Sequence, residues 1–274
     1  DEIFLAHPEL YDPEDLENQE RGLEFALNFA KKIIVPTRAV RDDLVRAGAK
    51  EEQVAVVPHG VTMESGIRNQ ESGIGNQNSK FIIPSSRFIL FIGRIEKKKN
   101  VLGLIHAFRK LVHNATQPPL NLRGGEGLKL VLAGQVGYGG QDVLQAIKTF
   151  KLEDRVIHLG YVERGQCGTL LQHAELLVVP SFGEGFGLPV LEAMAAGTPV
   201  VCSNTAPLRE VGGNAVQYVD PYHPEDIARG IKAVLENEML QTEMVRHGKE
   251  RAKEFTWERA AKETWYILCN TIGR

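Results

Sequence analysis

The stretch Leu176 to Val201, LLVVPSFGEGFGLPVLEAMAAGTPVV, constrains this chain more than any other. Leu176 to Val179 is a short apolar run with β-branched residues, which suits a buried strand. Pro180-Ser181 follows, then a loop with glycines at 183, 185 and 187. Pro189 suits the first turn of a helix. Val190 to Ala196 continues that helix, Gly197 closes it, and Val200-Val201 begins another strand. A strand, a glycine loop and a helix N-terminus together form an anion site. Backbone N–H groups and the positive helix end converge there, and glycine allows a ligand to approach the backbone closely. Two known phosphate loops are excluded. A dinucleotide fingerprint built on Gly183 and Gly185 needs glycine at 188, which is Leu188, and no Gly-Lys-Ser/Thr follows for a Walker loop.

Two carboxylates flank this site. Glu184 lies in the loop, and Glu192 lies about one turn into the helix, with seven residues between them. Carboxylates accept hydrogen bonds from hydroxyls, so the pair suits a ligand with a hydroxyl-rich group on each side of a phosphate. A nucleoside diphosphate sugar is such a ligand. The alternative is a solvated loop acid and a helix acid favoured by the dipole.

The run SFGEGFGLPVLEAMAAGTPVV resembles the E-x7-E motif of the retaining GT-B glycosyltransferases of family 4, the glycosyl transferases group 1 type. A second element supports the resemblance. After an apolar strand at Phe88 to Ile92, Gly93-Arg94 leads through Glu96, Lys97 and Lys98 to Lys99-Asn100 and a helix from Val101 to about Val112. It is similar to the family's G-R-x4-K-G or K-N element. The segment after the motif, SNTAPLREVGGNAVQYVDPYHPEDIARGI, is similar to that of mannosyl- and related hexosyltransferases.

The resemblance implies a retaining transfer of a hexose from a GDP- or UDP-sugar to a glycan or lipid-linked acceptor hydroxyl. Arg94 and Lys99 then bind the diphosphate, Arg in bidentate fashion and Lys as a point charge, and stabilise it as it leaves. Glu184 contacts the sugar hydroxyls and Glu192 the ribose. Gly93, Gly183, Gly185, Phe186, Gly187 and Leu188 supply close backbone and N–H groups. Lys97 and Lys98 are expected at the surface. No nucleophile stands out, which agrees with a front-face mechanism. No Asp-x-Asp pair occurs, so neither a catalytic metal nor another cofactor is expected. The competing hypothesis is a sugar-nucleotide-binding module without turnover. An NAD-binding Rossmann protein is disfavoured because no G-x-G-x-x-G follows a predicted strand.

The fold class expected is α/β of the GT-B type: a doubly wound, Rossmann-like C-terminal domain with a partial N-terminal domain. Strand–helix alternation from 87 to 235 predicts the parallel sheet by itself. Residues 1–60 are assigned to the acceptor-side N-terminal domain, and 61–86 to a linker. Residues 87–255 form the donor domain, and 256–274 a helix crossing back. At 274 residues the chain is too short for both domains of the resembled fold, so it is expected to lack most of the first.

In the N-terminal part, Asp12-Pro13 marks a turn and helix start. Helical spacing runs from Glu20 to Lys31 through Leu23, Ala26, Leu27 and Ala30. Lys32 to Val35 is a strand, Thr37 caps a helix reaching about Arg46, and Val54 to Val57 is a second strand. His7 either matches a family histidine on the acceptor side or is an ordinary loop residue. His59 is expected in the linker. Residues 65–78 hold a polar tandem repeat, SGIRNQE then SGIGNQN, read as an insertion without chemistry of its own. Glu210 is expected to begin a short helix in a structural role. Trp257, Trp265 and Tyr266 are expected to pack.

Composition supplies exclusions. Hydrophobic content of 43% allows a sizeable core, and a net charge of −3 gives no electrostatic case for nucleic acid. Cys167, Cys202 and Cys269 have neither metal spacing nor an even count, which fits a reducing, cytoplasmic setting. No run reaches membrane-spanning length, and no basic amphipathic helix marks a membrane-binding surface, so any membrane contact is expected to be transient.

Overall fold

The structure is a computed structural model that describes residues 3–62, 87–113 and 127–273. The tandem repeat at 65–78, and with it most of the expected 61–86 linker, lies outside the described residues.

The N-terminal part begins with α1 (Ile3–Ala6) and a 3-10 turn at Pro8–Leu10. Asp12 then caps α2 (Pro13–Phe29) by accepting from the Glu14 N–H. This helix starts earlier than Glu20 because the Asp-Pro pair supplies both a cap and a preset first turn. Strand β1 (Ile33–Val35), helix α3 (Arg38–Arg46) and strand β2 (Val54–Val56) follow, and β1 pairs with β2 in parallel. Their core is small: Val35, Val40, Leu44, Ala49 and Val54.

The remaining elements build a larger body. In chain order they are β3 (Phe88–Ile92), α4 (Val101–Val112), β4 (Lys129–Ala133), α5 (Gly140–Thr149), β5 (Val156–Gly160), α6 (Arg164–His173) and β6 (Leu176–Val179). There follow α7 (Leu188–Ala196), β7 (Val200–Ser203), α8 (Ala206–Gly212), β8 (Gln217–Val219), α9 (Pro224–Leu235), α10 (Glu238–Ala252) and α11 (Trp257–Ile272). Strand β8 was not legible in advance. Gln217 and Tyr218 break the apolar run, and pairing with Val201 and Cys202 on β7 creates the strand.

The sheet is six-stranded and parallel, in the order β5-β4-β3-β6-β7-β8. Alternate strand residues enter two separate cores. Ile89, Phe91, Leu130, Leu132, Leu176 and Val178 pack with residues of α4, α5 and α9. Phe88, Leu90, Val131, Leu177 and Val179 pack with residues of α6, α7 and α8. Burial on both faces explains why these strands read as continuous apolar runs instead of alternating ones. The chain winds outward from β3 to β5, then restarts beside β3 at β6 and winds the other way. The crevice beyond the carboxyl ends of β3 and β6 is therefore the switch point at which doubly wound sheets bind ligands.

The end of the chain departs from expectation. Trp265 and Tyr266 are 69% and 70% exposed, and α11 buries no residue fully. They are not packing residues among the described part of the molecule. Trp257 instead lies beside the His59 ring, at a centroid distance of 6.1 Å. The approach of the two segments is close at Gly60, where a Cβ would fall 2.1 Å from the Trp257 nitrogen.

Candidate functional site

Three loops meet at the switch point, and backbone hydrogen bonds join them. The loop after β3 and the loop after β4 are zipped together. Ile95 N–H donates to Gln135 O at 2.8 Å, Gly137 N–H to Ile95 O at 2.9 Å, and Lys97 N–H to Tyr138 O at 3.0 Å. Glycine is required at this seam, since a Cβ on Gly134 would lie 1.9 Å from the Gly93 carbonyl oxygen. Phe182 N–H donates to Lys98 O at 3.0 Å, bringing in the loop after β6.

Lys97–Lys99 form a 3-10 turn that ends at Asn100 in the left-handed region, φ 52°. Asn tolerates that conformation better than most residues, which accounts for Gly or Asn at this place in the motif. The Asn100 carboxamide is buried and donates to Pro180 O at 3.0 Å and Pro221 O at 2.7 Å. Gly103 makes room for it, because a Cβ there would lie 2.4 Å from Asn100 Oδ1. The turn therefore aims Lys99 at the β6 loop.

Lys99 Nζ donates to both Glu184 oxygens, at 2.8 and 2.7 Å. Ser181 Oγ, fully buried, donates to Glu184 Oε1 at 2.7 Å. Glu184 is 9% exposed and Lys99 20%. A carboxylate this desolvated needs its partners, and Lys99 and Ser181 supply them. Sequence reasoning put Lys99 on the diphosphate and Glu184 on the sugar; the structure joins the two side chains directly. Ser181 and Asn100 were not singled out beforehand, although Asn in the Gly/Asn position was a usable signal for the latter.

The other expected residues make their contacts elsewhere. Arg94 is exposed, its Nε 3.7 Å from Glu96 Oε2, and it lies across Gly137. Lys97 sits over the Tyr138 ring at 4.8 Å. Lys98 is not a surface lysine: it is half-buried, 3.7 Å from Glu96 and 4.8 Å from the centre of the Tyr11 ring. Glu192 faces α6. Burial pushes its carboxyl above the usual carboxylate range, and the charge of Arg164 offsets part of that rise. His7 bonds to Glu9 and lies 3.3 Å from the Tyr222 hydroxyl.

Gly187, at φ 97°, precedes α7, and a Cβ there would lie 2.4 Å from Leu208 Cδ2. Pro189 contributes no N–H to the first turn of α7, and the Val190 and Leu191 N–H groups already donate to Gly187 O at 3.0 and 3.3 Å, which leaves the Leu188 N–H and the positive helix end for an anion. Phe186 is buried, edge-on to the His59 ring at 5.0 Å and to Phe255 at 5.8 Å. It contributes packing through its side chain and leaves only backbone for a ligand. Burial holds the His59 imidazole below its ordinary pKa, in keeping with a packed position where the chain passes between the two sheets. Among the described residues no three His, Cys, Asp or Glu side chains are arranged to hold a metal ion, and no helix is long and apolar enough to cross a membrane.

A doubly wound sheet with a basic turn, a paired carboxylate and a helix N-terminus at its switch point defines an α/β protein with a candidate anion-binding crevice. Residues 76–251 match the family model of the glycosyl transferases group 1, and the chain belongs to that family. It is 29% identical over 262 residues to an O-antigen chain mannosyltransferase B of Escherichia coli, across 96% of this chain and 66% of that relative. It is 34% identical over 195 residues to an uncharacterised glycosyltransferase of Methanocaldococcus jannaschii, across 68% and 46%. A D-inositol 3-phosphate glycosyltransferase of Paenarthrobacter aurescens is 28% identical over 249 residues, across 90% and 59%. The chain thus spans 46% to 66% of the length of these relatives.

Solved structures share the fold. Anabaena Alr3699/HepE in complex with UDP and glucose superposes with a TM-score of 0.77 at 21% identity, over 96% of this chain and 69% of that one. Sucrose-phosphate synthase from Thermosynechococcus elongatus gives 0.75 at 22% identity, over 94% and 62%. The expected GT-B class is the one found.

Proposed function

We propose that this chain carries the donor site of a retaining hexosyltransferase that uses a nucleoside diphosphate sugar. The single observation that carries the reading is the Lys99–Glu184 pair at the switch point, beside the N-terminus of α7. Lys99 and Arg94 bind the diphosphate, and α7 adds the Leu188 N–H and its dipole. Glu184 accepts hydrogen bonds from the sugar hydroxyls while Lys99 shifts toward phosphate, so donor binding exchanges one ionic contact for two. Glu192 takes the ribose. Residues 87–255 act as the donor domain, and residues 1–60 contribute to the acceptor side.

In the transfer, the acceptor oxygen attacks the anomeric carbon on the face from which the diphosphate departs. The bond from that carbon to the phosphate oxygen breaks, and the departing oxygen takes the acceptor's proton. Configuration is kept, and no protein nucleophile is consumed. The products are a glycoside and a nucleoside diphosphate, whose added charge Lys99 and Arg94 stabilise. A GDP- or UDP-hexose donor and a glycan or lipid-linked acceptor suit relatives named as mannosyltransferases and a neighbour crystallised with UDP and glucose.

The test is calorimetric titration of this chain with GDP and UDP, alongside Lys99→Ala and Glu192→Ala. One nucleotide is expected to bind the unaltered chain and to bind each variant at least about tenfold more weakly. A folded chain that binds neither nucleotide, or variants that bind as the parent does, overturns the reading.

A further inference from the structure

The first turn of α3 touches the donor-side body at two polar points. The Thr37 side chain, 2% exposed, accepts from the Val40 N–H at 3.2 Å and donates to the Gly185 carbonyl at 3.0 Å. One hydroxyl has one proton and two lone pairs, so it serves both partners without conflict. Gly185 is the residue after Glu184. The second point is Glu210 on α8. Its Oε2 accepts from the Arg38 N–H at 3.0 Å and its Oε1 from the Ala39 N–H at 2.7 Å. Those N–H groups have no acceptor inside α3, and a carboxylate also suits the positive end of the helix. Glu210 lies near the end of α8, not at its beginning as the sequence suggested. Its backbone is fixed in turn. Arg251 donates from Nη2 to Glu210 O at 2.5 Å and from Nε to Val211 O at 3.2 Å.

These bonds join residues 148 to 172 positions apart in the chain. We propose that Thr37 and Glu210 are positioning residues for Glu184. Together they latch α3 to the loop that carries the donor-site carboxylate. Lys99 and Ser181 hold Glu184 by its side chain, and Thr37 holds it through the next carbonyl. A shift of α3 against the large sheet therefore pulls on the Glu184 backbone, which couples the N-terminal part to the donor pocket. The functional half of this inference rests on the reading of Glu184 as a donor-site residue; the mechanical half does not.

Four proteins separate the possibilities: the unaltered chain, Thr37→Ser, Thr37→Val and Glu210→Gln. The primary measurement is amide hydrogen exchange over 181–188 and over 38–46, which needs no ligand. Losing one hydrogen bond is expected to speed exchange over 181–188 about fivefold in Thr37→Val. Thr37→Ser, which keeps the hydroxyl, is expected to stay near the parent. Glu210→Gln is expected to speed both segments. Nucleotide affinity is expected to fall about fivefold in Thr37→Val and to recover in Thr37→Ser.

Faster exchange confined to 38–46 in Thr37→Val would mean that Thr37 only caps its helix, and the latch falls. Uniformly faster exchange over 87–255 would mean general destabilisation and would overturn it equally. If the unaltered chain binds neither nucleotide, the donor-site reading fails, while the exchange data still decide the latch.

Discussion

The two sheets of this molecule differ in kind. The six-stranded sheet has helices on both faces and two separate cores, with Phe88, Phe91, Phe108 and Leu132 essentially inaccessible. The two-stranded sheet has strands of three residues each, and its core is five buried side chains among the described residues. Two short strands are at best marginal alone. The smaller unit therefore depends on its attachments: the Thr37 and Glu210 bonds, and the Val61 N–H donated to Phe255 O at 3.0 Å. The lesson is that the half carrying the candidate site is built to hold its own geometry, and the other half takes its position from it.

The strongest challenge to that contrast compares a core truncation in each unit. Phe108→Ala, on the fully buried face of α4, is expected to cost about 3–5 kcal/mol in urea unfolding and to expose the whole chain. Leu44→Ala, in the small core, is expected to cost about 2–3 kcal/mol and, by hydrogen exchange, to open residues 3–62 while 87–255 stay protected. A single shared transition with equal losses would erase the distinction. Next in size is the ion pair. Lys99→Met leaves Glu184 without its cation and is expected to cost about 1–3 kcal/mol. Adding Glu184→Gln should restore part of that loss; if it restores none, the pair is not what holds the loop.

Gly134→Ala is expected to cost about 1–3 kcal/mol by forcing the two zipped loops apart, and to weaken nucleotide binding. Unchanged binding, measured calorimetrically, would remove the β4 loop from the site. A smaller, pH-dependent effect is expected at Glu192. Burial raises its folded pKa, so the folded chain holds this proton more tightly than the unfolded chain does. Glu192 therefore favours folding below the ordinary carboxylate pKa, and that contribution is lost as pH rises through the raised value. Glu192→Gln should melt higher than the parent at neutral pH, with the gap closing toward about pH 4. A gap that widens on acidification would reverse the assignment. The smallest effect is expected at the exposed end of the chain. Trp265→Ser should change stability by less than about 0.5 kcal/mol.

Much of the large sheet was legible because its strands are buried on both faces and its helices carry clear punctuation. Pro189 and Gly197 bound α7, and in the smaller unit Thr37 caps α3 and Asp12 caps α2. Where such signals were weak, the reading slipped. Strand β8 is made by its neighbour. Lys98 was misjudged for a related reason. A lysine run looks like a solvated face until Tyr11, from far away in sequence, comes to lie beneath one member of it.

The sequence by itself determined the α/β class, the order of most elements and the positions of Lys99, Glu184 and Glu192 on their loops and helix. Periodicity, caps and motif spacing are local, and local chemistry sets them. Only the tertiary structure decided who meets whom. It paired Lys99 with Glu184, buried Ser181 and Asn100 behind them, brought Glu192 within reach of the Arg164 charge, and tied Thr37 to the carbonyl beside Glu184. Apart from the Ser181–Glu184 bond, which spans three residues, these contacts span dozens to well over a hundred residues. They depend on strand order and on the relative height of loops at one end of a sheet, which no local pattern encodes.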